Sequence, residues 1–370
     1  MTEDGDSARR MRGQVRRAQT KKAVVVAASL LGAATLLAVL ASAGLVRLPL
    51  DGPRLSDDHA WIASLTGSDR LRALGYDGTG VTICLVDSGI DLLHPDLAPT
   101  RLTAWNDLVN REPLPYDDSG HGTAMAGLIV GQGNVQGLAP GTSLIVAKAL
   151  RADGTGSSDT IGRAIRYCID PDGDGNRQDG ADIISLSLGA QTTPFVTNAA
   201  AVAARNATEA GIFVVSSAGN DGLRDDGDVG TPANEALVLA VGSVDRDLVI
   251  APFSSQGNNS PLQTPPRVDP HRKPEFAFPG VGLFTTTGGA SYTAMTGTSA
   301  SAALLSGLMA LLLQAHPELA KVNVPSILAT KTALMQTAAP YTSQIRPHDD
   351  HYGYGLAQVY EAHLLLSAGG

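Results

Sequence analysis

Between residues 81 and 244 the chain alternates short, β-branched apolar runs with longer stretches of helical periodicity. "VTICLVD", "SLIVAKAL", "ADIISLSL", "GIFVVSSAG" and "ALVLAVGSV" are bounded by Gly, Asp or Pro, as buried strands are. "SDTIGRAIRYCI" and "TNAAAVAARNATEAG" lie between them and read as helices. A strand apolar at nearly every position has no face left for solvent, so both sides of its sheet must be covered. Helices supplied between consecutive strands cover it most directly. The alternation therefore predicts α/β architecture, a mostly parallel, doubly wound sheet with helices on both faces in three layers. In open sheets of this kind functional residues gather beyond the carboxyl ends of the strands.

At 370 residues there is length for one large core, and no internal repeat is visible. A net charge of −9 argues against nucleic acid as a partner. The N-terminus stands apart. Arg9, Arg10, Arg12, Arg16, Arg17, Lys21 and Lys22 precede an uncharged run from Ala23 to Val46. As a helix that run would extend about 36 Å, enough to cross a bilayer. Cations on its N-terminal side predict a cytoplasmic tail over 1–22, a membrane segment over 23–46 and export of the remainder. Ala41-Ser42-Ala43 also fits a cleavage site for a signal peptide. The expectation is thus a cytoplasmic-membrane anchor with an extracytoplasmic domain, or a secreted protein if the chain is cut after Ala43. Residues 47–75 read as a charged linker with one helix near Asp69–Leu74, and 76–366 as the folded domain. Cys84 and Cys168 fall in a strand pattern and a helix pattern, and are expected as two separate buried thiols.

Four polar residues fall at the edges of these elements. Asp87 ends the first strand run, and His121 sits between glycines in "DDSGHGTAMAG" ahead of an apolar helix. Asn220 follows the strand in "VVSSAGND", and Ser299 heads the apolar stretch "MTGTSASAALLSGLMALLLQ". Taken singly, Asp87 and Asn220 read as turn residues, His121 as a loop residue, and Thr298 or Ser299 as a helix N-cap. Taken together they supply a nucleophile at a helix N-terminus, a base, a carboxylate to orient it and an amide donor. A separate loop, "DPDGDGNRQDG", places Asp170, Asp172, Asp174 and Asn176 at alternate positions with Gly175 for the turn. This matches the first half of an EF-hand loop, with Asp179 or Asp182 available to complete a shell; the alternative is a solvated acidic loop.

The blocks "VDSGIDLLHPDL", "GHGTAMAG", "AKALRADGTG", "IISLSLG", "VVSSAGN", "GTSAS" and "YGYGLAQVYEA" resemble those of the subtilisin-like serine proteases, the subtilases. The resemblance runs from about Gly75 to Ala362, with the order Asp, His, Ser of that family. It implies a subtilisin-like fold and a serine endopeptidase acting on proteins or peptides through an acyl-enzyme. Ser299 would be the nucleophile, His121 the general base, Asp87 its orienting carboxylate and Asn220 an oxyanion donor. Gly154, Thr155 and Gly156, with Ser187, Leu188 and Gly189, would flank the substrate. No cofactor is required for such chemistry, and a structural calcium is an open expectation. Three departures stand out. No segment long enough for the family's inhibitory pro-domain lies between 47 and 75, Ala303 stands where a proline is common, and "GQGNVQGLAP" is shorter than the calcium loop of many relatives. A catalytically inert binding protein and an acyl-transferring peptide ligase are the rival readings.

Overall fold

The computed structural model describes residues 59–190, 198–222, 227–260 and 266–368. The basic tail, the 23–46 run with its Ala41-Ser42-Ala43 site, and linker residues 47–58 lie outside the described residues.

Seven strands form one parallel sheet: β1 (Thr82–Asp87), β2 (Leu102–Asp107), β3 (Ser143–Lys148), β4 (Ile183–Leu186), β5 (Phe213–Ser217), β6 (Leu239–Val244) and β7 (Phe276–Pro279). Their spatial order is β2-β3-β1-β4-β5-β6-β7. A two-stranded antiparallel hairpin follows, β8 (Leu283–Thr287) with β9 (Ser291–Met295). The helices are α1 (Ala60–Thr66), α2 (Ser68–Ala73), α3 (His121–Val130), α4 (Ser158–Ile169), α5 (Ala199–Glu209), α6 (Thr298–Ala315), α7 (Val324–Thr337) and α8 (Val359–Ala368). The doubly wound α/β sheet expected from the alternation is present, with all five predicted strands in it.

The pleat sorts the strand side chains onto two cores. Ile83 and Leu85 of β1, with Leu144 and Val146 of β3, join the core shared with α3 and α6. Cys84, Val86, Ile145 and Ala147 join the opposite core, shared with α4 and α5. Side chains cap the covering helices. Ser157 accepts from the Thr160 N–H ahead of α4, and Asn198 accepts from Ala200 and Ala201 ahead of α5.

Two expectations change. Cys84 and Cys168 are joined as a disulfide, with Cα atoms 5.6 Å apart, and are not two free thiols. The reason is register: Cys84 points to the face that α4 covers, and Cys168 lies in the last turn of α4 on its buried side. Part of the segment read as a linker is also packed structure. It forms α1, which was not expected, and α2, which matches the helix expected near Asp69–Leu74; their Ile62 and Leu71 are fully buried in the same core as α6.

Helix α6 is buried along almost its whole length. Among the described residues it is the one helix long and apolar enough to cross a membrane, with a mean hydropathy of 1.5. Here it serves as the core helix. Two of its polar positions face the sheet: Ser301 donates to the Phe278 carbonyl at 3.0 Å, and Ser306 to the Ser185 hydroxyl at 2.9 Å.

From β1 the chain moves outward to β2, returns to β3, then crosses to β4 on the other side. The winding direction therefore reverses around β1, and the carboxyl ends of β1 and β3 border the crevice this creates. Asp87 and Lys148 are register partners at that edge.

Candidate active site

Asp87, fully buried at the end of β1, accepts a hydrogen bond from His121 Nδ1 at 2.7 Å. Because an ionised carboxylate only accepts, the imidazole proton is on Nδ1, and Nε2 is left as the acceptor. His121 is the first residue of α3 and is held there by Asp117. One Asp117 oxygen accepts from the N–H groups of Ser119 and Gly120 and from the Ser88 hydroxyl; the other accepts from the Thr123 N–H and hydroxyl. Burial pushes the Asp117 carboxyl up, but the bonds from Thr123, Gly120 and Ser88 outweigh it and hold the group below its ordinary range. Gly122 permits the close approach: a Cβ there would stand 2.1 Å from the Gly89 carbonyl oxygen. For His121 burial works downward, yet the charge and hydrogen bond of Asp87, with the Asp117 charge, win and raise the imidazole above its ordinary value.

Ser299 is the second residue of α6. The helix is capped by Gly297, at φ 153°, rather than by Thr298 or Ser299. In this structure the Ser299 hydroxyl donates to the Ser187 carbonyl at 2.9 Å, and Ser187 Oγ returns a bond to the Ser299 carbonyl at 3.0 Å. Thr298 has a different task. Its N–H and its hydroxyl both donate to Asn220 Oδ1, each at 3.0 Å. With Oδ1 committed as acceptor, the orientation of the amide is fixed and Nδ2 remains as the free donor.

His121, Asn220 and Ser299 line one cavity of about 690 Å³. Gly154, Thr155, Gly156, Ser187, Leu188 and Gly189 line the same cavity, so the structure brings together every residue of the expected substrate segments. The main chains of Gly156 and Gly189 make no hydrogen bond among the described residues, as an edge ready to receive an extended strand requires. Ala303 is fully buried one turn beyond Ser299 and does not line the cavity.

The model of the subtilase family matches residues 78–355. This chain belongs to the subtilase family of serine peptidases. It is 33% identical over 289 residues to serine protease AprX of Bacillus subtilis, covering 69% of this chain and 62% of that relative. Subtilisin DY of Bacillus licheniformis is 32% identical over 302 residues, 80% of this chain and 96% of the relative. Bacillopeptidase F of Bacillus subtilis is 30% identical over 334 residues, 84% of this chain but only 22% of the relative. The chain therefore spans nearly all of a subtilisin and less than two thirds of the two longer proteins.

In this subtilase the acidic loop gathers Asp170, Asp172, Asp174 and Asp179, with one carboxylate oxygen of each within 4.8 Å of the others. Asn176 uses its Oδ1 on the Gln178 N–H, and Asp182 stands apart, bonded to the Thr82 N–H and 3.4 Å from Lys321 Nζ. Four hard oxygen donors so close together fit a divalent cation such as calcium. For Asp172 the Asp174 N–H works downward, but desolvation and the charges of Asp174, Asp179 and Asp170 leave the carboxyl raised. In the shortened "GQGNVQGLAP" stretch the Val135 N–H donates to Asp96, whose other carboxylate oxygen accepts from the Tyr292 hydroxyl.

Sequence reasoning passed over Asp117, which orients His121, and read Thr298 only as a candidate N-cap and not as the residue that orients Asn220. A signal existed for Asp117, an acidic residue at the mouth of an apolar helix. For Thr298 none existed, because its partner is 78 residues away.

Proposed function

We propose that the chain is a serine endopeptidase in which Ser299, His121 and Asp87 form the catalytic triad. The carrying observation is the 2.7 Å pair of Asp87 and His121, which opens onto the cavity that Ser299 and Asn220 also line. His121 Nε2 takes the Ser299 proton as the hydroxyl attacks a peptide carbonyl. Asp87 keeps the proton on Nδ1 and stabilises the imidazolium that forms. For this, Ser299 must leave the Ser187 carbonyl and turn to His121. The resulting oxyanion is held by Asn220 Nδ2 and the Ser299 N–H at the start of α6, where the helix dipole adds to the donors. His121 then protonates the leaving amine, and water attacks the acyl-enzyme by the same route in reverse. A substrate strand lies between residues 154–156 and 187–189 and pairs with their main chain.

Calcium in the 170–179 loop, held by Asp170, Asp172, Asp174 and Asp179, would stabilise the fold and takes no part in the reaction. The domain is placed outside the cytoplasm, anchored through 23–46 or released after Ala43. The seven N-terminal cations, the apolar run and a buried disulfide support that placement. A fluorophosphonate probe tests the reading. It labels the wild-type protein stoichiometrically and leaves Ser299→Ala unlabelled; labelling that survives the substitution overturns it.

A further inference from the structure

Lys148 ends β3 beside Asp87, and its side chain is wholly buried. An ammonium carries three N–H donors, and this one meets three acceptors. They are the Ser88 carbonyl at 2.6 Å, an Asp118 carboxylate oxygen at 2.6 Å and the Leu150 carbonyl at 3.0 Å. The Tyr116 ring stands 4.9 Å from the nitrogen. Placing a cation out of water is costly even when it is paired, and an apolar side chain would fill a strand end at less cost. What the ammonium adds is three directed bonds from a single point.

Each acceptor belongs to a different part of the site. Ser88 follows Asp87 directly, and its own hydroxyl accepts from the Gly122 N–H at the start of α3. Asp118 lies three residues before His121 in the loop that delivers it. Leu150 opens the segment that runs to residues 154–156 and lines the cavity. The carboxylate, the base and the substrate edge thus meet at one buried charge.

Building on the triad reading, we propose that Lys148 is a positioning residue for catalysis, holding the Asp87–Ser88 turn, the loop into His121 and the start of the substrate segment in mutual register. Misplacement of reacting groups by a fraction of an ångström is enough to lower turnover.

The test counts active sites first, by fluorophosphonate titration to completion, and then measures kcat and KM per titrated site. Lys148→Met removes the charge at similar side-chain length. Asp118→Asn keeps Lys148 and weakens one of its three bonds. In Lys148→Met, kcat per titrated site falls about 10-fold or more, as expected when reacting groups lose their alignment. KM rises for a peptide long enough to lie along residues 150–156 and stays unchanged for a single-residue ester. Asp118→Asn moves both parameters in the same directions, by less. Turnover per titrated site within about twofold of wild type in both variants overturns the proposal. So does a loss confined to the number of titratable sites, since that would be a folding role alone. If Lys148→Met yields no folded protein, Asp118→Asn decides. A wild-type protein that takes up no probe at Ser299 would overturn the triad reading instead, before any variant is compared.

Discussion

Removing the Cys84–Cys168 bridge should lower thermal stability by an amount the chain geometry sets. The cysteines are 84 residues apart, so the bond closes a long loop in the unfolded chain. In the chain-entropy model a loop of that length loses about 15 cal/mol/K, or about 4.5 kcal/mol at 25 °C, within the range of about 2–5 kcal/mol seen when native bridges are removed. Unfolding entropy near 2.1 cal/mol/K per residue gives about 0.6 kcal/mol/K for a domain of roughly 300 residues, so Tm should drop by about 7 °C. Both sulfurs are fully buried. Reduction leaves them in place and isolates the cross-link, whereas Cys84→Ala/Cys168→Ala also removes packed atoms and should cost somewhat more. Scanning calorimetry in the Ser299→Ala background avoids self-digestion, and thiol titration after denaturation confirms the redox state. Full alkylation of both cysteines in unfolded, unreduced protein would refute the bridge. A Tm unchanged by verified reduction would refute the entropic reasoning.

Three further outcomes follow from the site. A base works only when neutral, so activity is lost as pH falls through the His121 pKa; because that pKa is raised, the acidic limb of kcat/KM should lie above about 6.5. Asp117→Asn removes a charge that favours the imidazolium and should move the limb to lower pH; a wild-type limb below 6 would contradict the electrostatics. Asn220→Ala should lower kcat by about 10²- to 10³-fold with little change in KM, the size known for losing one such donor from subtilisin. A change confined to KM would count against the oxyanion role. Calcium at about 100 times its Kd should stabilise the fold by about 2.7 kcal/mol, so chelation should cost about 4 °C in Tm. Asp172→Asn/Asp174→Asn should abolish that difference, and equal sensitivity to chelation in the double variant would remove calcium from this loop.

The sequence showed plainly what repeats and what alternates. Strands apolar at almost every position left little choice but a parallel sheet, and a His before an apolar helix marked the mouth of α3. Edge structure was harder to read. The β2 stretch "LTAWND" is half-exposed and carries Asn and Asp, β7 is four residues ending in proline, and the β8–β9 hairpin shows solvent on one side. β2 and the hairpin lack the continuous apolar pattern of a central strand, and β7, apolar and buried throughout, is too short to announce itself as one. The disulfide was hidden for a different reason: which helix covers which strand face is decided by winding, not by either local pattern. The orientation of Asn220 was hidden likewise, since Thr298 fixes it from 78 residues away. Lys148 left a trace that was not read. A lysine inside "SLIVAKAL", within an otherwise buried parallel strand, demands acceptors.

Helix α6 carries a consequence for delivery as well as for packing. A domain passed unfolded through a membrane channel presents each apolar stretch in turn to the lipid beside that channel, and a sufficiently greasy one halts transit. The stretch from Thr298 to Ala315 is long enough to be stopped. Ser301 and Ser306, whose hydroxyls seat the helix on the sheet, dilute its hydropathy along with Thr298, Ser299 and Gln314. If the domain is exported as proposed, replacing the two seating serines with leucine would therefore do damage twice, once in the folded core and once in the channel, where the helix proposed to carry the nucleophile would be retained in the membrane.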